Sequence, residues 1–263
     1  MGRVMQWMND NWVITPAGGV TGAAYVARTD NEKLFLKRNS SPFLAVLSAE
    51  GIVPQLLWAK RLENGDVITA QKWMEGRELK AEEMNSKRVA RLLKKIHGSN
   101  PLLLMLSRLG KEPLTPKSIL QSLMAHDFTS FRQGKAALSF LCRAANHVVS
   151  DSKVVCHSDT NHNNWLLDKE DQLYLIDWDH AVIADPALDL GMTLYWYIKE
   201  SEWAKWLKYY GLPLTSGLRL RLHWYAIART LLFVFWHKEQ GRDEEARFHE
   251  KELARFLRLG ERL

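Results

Sequence analysis

The sequence predicts an α+β fold in two lobes, a small strand-rich one followed by a larger helical one. Three observations carry that expectation. The first eighty or so residues alternate apolar runs with turn signals, the pattern of strands. From about Met84 the apolar residues recur at helical spacing instead. Between Val154 and Ile176 the chain returns briefly to strand, and polar loops interrupt it there. A chain of 263 residues is long enough for one large domain or two lobes with a shared cleft, and the change of character places the lobes at 1–75 and 76–263.

Taken in order, Gly18-Gly19-Val20-Thr21-Gly22 is a glycine-rich turn between apolar segments. Ala23 to Ala27 and Lys33 to Lys37 read as a hairpin pair, and Val67 to Trp73 as a further strand that stops at Glu75-Gly76. Val89, Leu92, Leu93 and Ile96 share one helical face, with His97-Gly98 as the stop. Asn100 to Pro116, with prolines at 101, 113 and 116, reads as loop. Ser118 to Ser150 is mostly helical. Val154 to Cys156, Trp165 to Leu167 and Leu173 to Ile176 are strands, with Asp168 to Gln172 as a turn. After Pro186 the pattern is helical to the end, broken at Gly211-Leu212-Pro213.

Composition bounds the class. Apolar content of 46% and charged content of 25% are those of a globular protein. The apolar run Leu231 to Trp236 is too short to span a bilayer, and Met1 to Asp10 lacks the pattern of a signal peptide. Two cysteines, Cys142 and Cys156, form neither a disulfide framework nor a metal spacing, so a reduced, cytoplasmic setting is expected. The net charge of +6 sits largely in segments such as Lys87 to Lys95 and Arg242 to Arg262, which read as solvated helix faces rather than a nucleic-acid surface. A basic surface also concentrates phosphate-bearing ligands.

The chemistry is concentrated in Val154 to Gly191. Asp159 and Asn164 lie on a loop between two short strands, and Asp177 ends the last of them. Strand-anchored loops hold polar groups rigidly. Phosphoryl transfer asks mainly for positioning and charge neutralisation. Asp159 would accept or orient the proton of an attacking hydroxyl, while Asn164 and Asp177 offer oxygen ligands to magnesium. His157 would fix the loop. Asn161, His162 and Asn163 are first choices for hydrogen bonds to the acceptor. Trp178, Trp196, Trp203, Trp206, Trp224, Tyr225 and Trp236 crowd the second lobe; such rings are most often core, and they would suit a nucleoside or a cationic amine equally.

His157-Ser158-Asp159 with Asn164, then Ile176-Asp177-Trp178-Asp179, then Asp185-Pro186 and Asp189-Leu190, resembles the phosphotransferase family of aminoglycoside and choline kinases, whose signature is H-G-D-x-x-x-x-N, I-D-W/F-[DE], D-P-x-x-D. The resemblance implies a protein-kinase-like fold with ATP and Mg2+ bound between the lobes. It makes Asp159 the catalytic base, Asn164 and Asp177 the metal ligands, Asp179 a contact to metal or acceptor, and Asp185 and Asp189 structural. Ser158 stands where Gly is usual, a small-for-small change expected to leave the roles intact. By the same likeness Gly18, Gly19 and Gly22 would cover phosphates, Lys37 would pair with them, and Gln71, Trp73 and Met74 would fall at a hinge offering backbone groups to adenine. The family's helix glutamate, which holds the lysine, is expected near Ser41; Glu50, four residues before Pro54, comes late for it.

Asn161 to Trp165, Leu36 to Phe43 and Leu194 to Tyr197 further resemble the CcrZ/YtmP group of Gram-positive bacteria. That likeness implies a cell-cycle regulator phosphorylating the ribose, chiefly 2-deoxyribose, of nucleosides. It also implies association with FtsZ, a link to DnaA, and a cytoplasmic protein recruited to the division septum.

Overall fold

The computed structural model describes residues 11–17, 23–128 and 131–260. Its first elements are β1 (Val13–Pro16), β2 (Ala24–Arg28), β3 (Lys33–Arg38), α1 (Phe43–Ala49), β4 (Leu56–Arg61), β5 (Val67–Lys72) and β6 (Gly76–Glu78). Helices α2 (Lys87–His97), α3 (Asn100–Arg108), α4 (Pro116–Met124) and α5 (Arg132–Ala144) follow. Next come β7 (Val154–Cys156), β8 (Trp165–Asp168), β9 (Leu173–Leu175) and β10 (Val182–Ala184). The chain closes with α6 (Ala187–Tyr197), α7 (Trp203–Tyr210), α8 (Ser216–Glu239) and α9 (Asp243–Gly260). A β-sheet N-terminal region and a helical C-terminal region are as expected.

Two compact units result: Met1–Glu78 with Trp165–Asp179, and Leu79–Asn164 with His180–Leu263. In the first, an antiparallel sheet runs in the order β1-β2-β3-β5-β4. Strand alternation sends Leu34 and Leu36 of β3 inward against Ala27, Ile68 and Ala70, which leaves Lys37 on the opposite face. A second sheet, β6-β8-β9, is tied to the Ile52 carbonyl by the Leu175 amide at 3.0 Å. Trp178 packs edge-on against Phe43 of α1, with ring centres 5.8 Å apart.

In the second unit, α8 is buried along most of its length, and α6 packs on it closely enough that a Cβ at Gly191 would stand 2.6 Å from the Leu222 carbonyl oxygen. Many of the tryptophans read as core are core. Trp203, Trp206 and Trp224 are buried, and each ring N–H donates to a backbone carbonyl, those of Ile198, Met84 and Leu141. Trp236, by contrast, is 44% exposed.

One stretch read as loop is a helix. Asn100 to Arg108 forms α3, because Ser99 caps it by accepting the Leu102 amide at 3.3 Å and Pro101 sits in the first turn, where its missing N–H costs nothing. The glycine-rich turn at Gly18, Gly19 and Gly22 lies outside the described residues. Among the described residues, no helix is long and apolar enough to cross a membrane.

Candidate active site

The first unit contributes a lysine facing two carboxylates. Lys37 Nζ donates to both oxygens of Asp179, at 2.9 and 2.8 Å, and lies 3.8 Å from Asp177 Oδ1. Strand β3 presents the lysine, and the turn after β9 presents both acids. The acid sought on a helix therefore comes from the turn instead. At Ser41, the hydroxyl accepts the Phe43 amide at 3.2 Å, and Glu50 is the C-cap of α1. Asp177 adopts φ +65°, a left-handed conformation in which Asp is tolerated better than most residues. The turn is anchored by Trp178, whose Nε1–H donates to the Leu175 carbonyl at 2.7 Å. Gln71, on β5, is buried and donates its side-chain amide to the Pro54 carbonyl at 2.8 Å. Trp73 is half-buried, with Lys33 Nζ 3.6 Å from its ring centre, and Met74 is half-buried beside it.

Within the second unit lies the loop that follows β7. Asp189 of α6, fully buried, accepts the His157 amide at Oδ2 (2.7 Å) and the Ser158 amide at Oδ1 (2.8 Å). His97 meets the same carboxylate from α2 at 3.1 Å, and Tyr210 of α7 meets the other nitrogen of His97 at 2.8 Å. Burial pushes the Asp189 carboxyl up, but the His97 hydrogen bond, the charges of His97 and His157 and the backbone N–H together hold it below its ordinary range. Helix α6 is fixed in turn by Asp185, which accepts the Ala187 amide at 2.9 Å and both oxygens of which take Arg221 at 2.8 Å.

On this base the polar groups of the loop bond to one another. The His157 ring accepts the Asp159 amide at 3.3 Å. The Asn164 side-chain amide donates to the Asp159 carbonyl at 2.9 Å and to Asp159 Oδ2 at 3.1 Å. With its nitrogen so engaged, Asn164 has its Oδ1 left as a ligand atom. Neutral amide oxygen from Asn164 and carboxylate oxygen from Asp177 are donors of the type magnesium takes. His162 is held by Tyr197, whose hydroxyl accepts the His162 amide at 3.2 Å and lies 3.3 Å from its Nδ1. Asn163 donates its amide to the Asn161 side chain at 3.2 Å, leaving Asn161 and Asn163 exposed.

His97, Cys156 and Asp189 also lie within ligand distance of one another. Their lone pairs and protons are already committed: both Asp189 oxygens to backbone amides, His97 to Asp189 and Tyr210, and the Cys156 thiol to the Asp185 carbonyl at 3.5 Å. Burial holds that thiol well above its usual range, so the thiolate a metal would need is disfavoured. The cluster is a structural network.

Reading along the chain missed His97, Tyr197, Tyr210, Arg221 and Arg229, all of which touch this loop or its supports. His97 is visible in the sequence only as the end of a helix.

Comparison with known proteins agrees with this fold. Choline kinase LicA from Streptococcus pneumoniae is 21% identical, with 92% of this chain and 93% of that one covered and a TM-score of 0.66. A choline/ethanolamine kinase family protein from Mesorhizobium loti is 15% identical over 93% and 88%, with a TM-score of 0.67. Aminoglycoside phosphotransferase APH(4)-Ia is 14% identical over 95% and 93%, at 0.68. At such identities the likeness shows a shared kinase-like fold. The sequence model of the phosphotransferase enzyme family matches residues 12–222, most of the chain and every candidate residue from Lys37 to Asp189, and on that match the chain belongs to the phosphotransferase enzyme family.

Proposed function

We propose that this phosphotransferase moves the γ-phosphoryl group of ATP to a hydroxyl of a small molecule, most specifically the ribose or 2-deoxyribose of a nucleoside. The observation that carries the transfer is Asp159, steered by the His157 ring at its amide and by the Asn164 side chain at its carboxylate. One oxygen of Asp159 takes the Asn164 bond, and the other is left to accept or orient the acceptor's proton. Lys37, on the outward face of β3, serves the phosphates of the nucleotide; its present bond to Asp179 is half-exposed and exchangeable. Asn164 Oδ1 and Asp177 would hold the magnesium ion, which supplies charge neutralisation at the phosphate oxygens.

The nucleoside assignment rests on the resemblance of Asn161 to Trp165 and of Leu194 to Tyr197 to the cell-cycle group. The same resemblance supports a role linking division to replication through FtsZ and DnaA, with septal recruitment. The names of the structural neighbours favour a second reading, a choline- or aminoglycoside-type kinase. A scaffold with weak catalysis is the third.

ATP consumption and product mass measured against nucleosides, choline and aminoglycosides, with Asp159→Ala and Asp177→Ala as controls, separate the three. Transfer to a nucleoside that both variants abolish is the expected result. Turnover on choline alone would overturn the sugar assignment, and no turnover with intact FtsZ binding would leave the scaffold.

A further inference from the structure

Ser158 is not a neutral replacement for glycine. Its backbone lies at φ +67°, a region glycine enters freely and serine rarely does. A side chain persists in such a conformation when its surroundings over-determine it. Every polar group of Ser158 is engaged within its own unit. The amide donates to Asp189 Oδ1 at 2.8 Å, the hydroxyl donates to the His180 carbonyl at 2.7 Å, and the carbonyl accepts Arg229 Nη2 at 2.9 Å. Glycine could supply the first and third of these bonds. Only the hydroxyl supplies the second, and His180 directly follows the Asp177–Asp179 turn in the chain.

Arg229 is unusual on its own account. Its side chain is half-buried against the loop, its guanidinium lies 5.0 Å over the Phe233 ring, and it makes no carboxylate ion pair within 4 Å among the described residues. Among the described residues its Nε has no hydrogen-bond partner. Burial lowers its pKa, and the fields of Asp159 and Asp189 partly offset that cost. A cation held partly out of water, with a hydrogen bond given to the residue before Asp159, points to a role in holding that residue.

We propose that the Ser158 hydroxyl and the Arg229 guanidinium are positioning elements for the phosphoryl transfer proposed above, pinning the left-handed Ser158 so that the Asp159 carboxylate is held in its reactive direction. The proposal rests on that reading of function, and two measurements keep their failures apart. The first is steady-state kinetics with Mg-ATP and the best acceptor from the panel. A misplacement of about 1 Å costs on the order of 10²-fold in rate. Ser158→Ala, which keeps the Cβ and loses the hydroxyl, should lower kcat by about 10- to 100-fold with the KM for ATP within about twofold. Ser158→Gly removes the backbone strain, so it folds, and should show a similar loss. Arg229→Met should lose about 10²-fold in kcat and Arg229→Lys distinctly less, because lysine restores a donor.

The second measurement is hydrogen exchange of the peptide spanning 154–165, which needs no turnover. In both Ser158 variants its amides should exchange at least about tenfold faster while those of α8 stay protected. Full kcat in Ser158→Gly, or unchanged exchange across 154–165, overturns the proposal. A wild-type protein inactive on every acceptor would instead overturn the functional reading, with the exchange result still deciding whether the hydroxyl orders the loop.

Discussion

At the scale of single residues the two carboxylate contacts of the candidate site differ in kind. Lys37 and Asp179 keep 23% and 49% of their side-chain surface in water, whereas His97 and Asp189 keep 2% and 0%. An exposed pair contributes at most about 1 kcal/mol, so Asp179→Ala should leave thermal unfolding nearly unchanged. Removing His97 takes a hydrogen-bond partner from a fully buried carboxylate, and His97→Leu should destabilise by about 1.5–3 kcal/mol in urea unfolding. Equal losses in the two variants would contradict the contrast in burial. Asp159→Asn tests the chemistry separately, because it keeps the shape and the Asn164 contact while removing the base. It should cost about 10²–10⁴-fold in kcat with unchanged unfolding. Asp159, Asn164 and Asp177 were legible in the sequence because their order and spacing are local. Their supports were not: Arg229 lies 71 positions from Ser158 and Tyr210 lies 113 from His97, and no local period encodes such pairs. Asp179 was legible as a site residue, but its bond to Lys37 spans 142 positions and emerges only from folding.

Elements show where local rules suffice and where they mislead. Turn signals identified β3 as one strand of a hairpin, and helical spacing identified α2 with its buried Val89, Leu92, Leu93 and Ile96. The prolines near Asn100 concealed α3, because proline opens a helix as readily as it breaks one. Strands β8 and β9 were readable as strands, yet nothing local tells that β8 pairs with β6, some ninety positions upstream, as an antiparallel neighbour. Helix α6 links element to site, since it carries Asp189, is preceded by Asp185 and approaches α8 through Gly191. A Cβ at Gly191 would stand 2.6 Å from backbone, which cannot move as a flexible side chain does. Gly191→Ala should therefore destabilise by about 1–3 kcal/mol and shift α6 relative to α8. Because Asp189 lies two residues earlier on that helix, the variant should also loosen the His157 and Ser158 amides. Hydrogen exchange reads this directly, and slow exchange at 154–165 in Gly191→Ala would show that α6 does not transmit the displacement.

Across the second unit as a whole, the helices meet at a histidine that is kept neutral. His223 of α8 is 1% exposed, bonds Tyr195 of α6 at 2.8 Å, packs edge-on against Phe140 of α5 and lies against Gly260 of α9. Four helices thus share one imidazole. Burial lowers its pKa from 6.5 to about 4, so the folded protein resists a proton that the unfolded chain accepts. The sign follows from that difference. Above pH 6.5 both states are neutral and the stabilising contribution is complete; as the pH falls from 6.5 towards about 4 the unfolded state binds the proton first, and stability drains away. The full loss from this group is about 3 kcal/mol. His237 and His249, at the α8–α9 packing, are lowered as well, chiefly by burial, and act in the same direction. The depressed carboxylates Asp66 and Asp189 have ordinary values of 3.8, under this window, and Glu75, held down by Lys169, is fully exposed with an ordinary value of 4.5 at its lower edge, so most of the decline belongs to the histidines. Urea midpoints should therefore fall steadily between pH 7 and pH 4.5, and His223→Gln, which can still accept the Tyr195 hydroxyl, should show a shallower decline. The same slope in both proteins would mean that the junction of α5, α6, α8 and α9 is not what sets the acid limit of the fold.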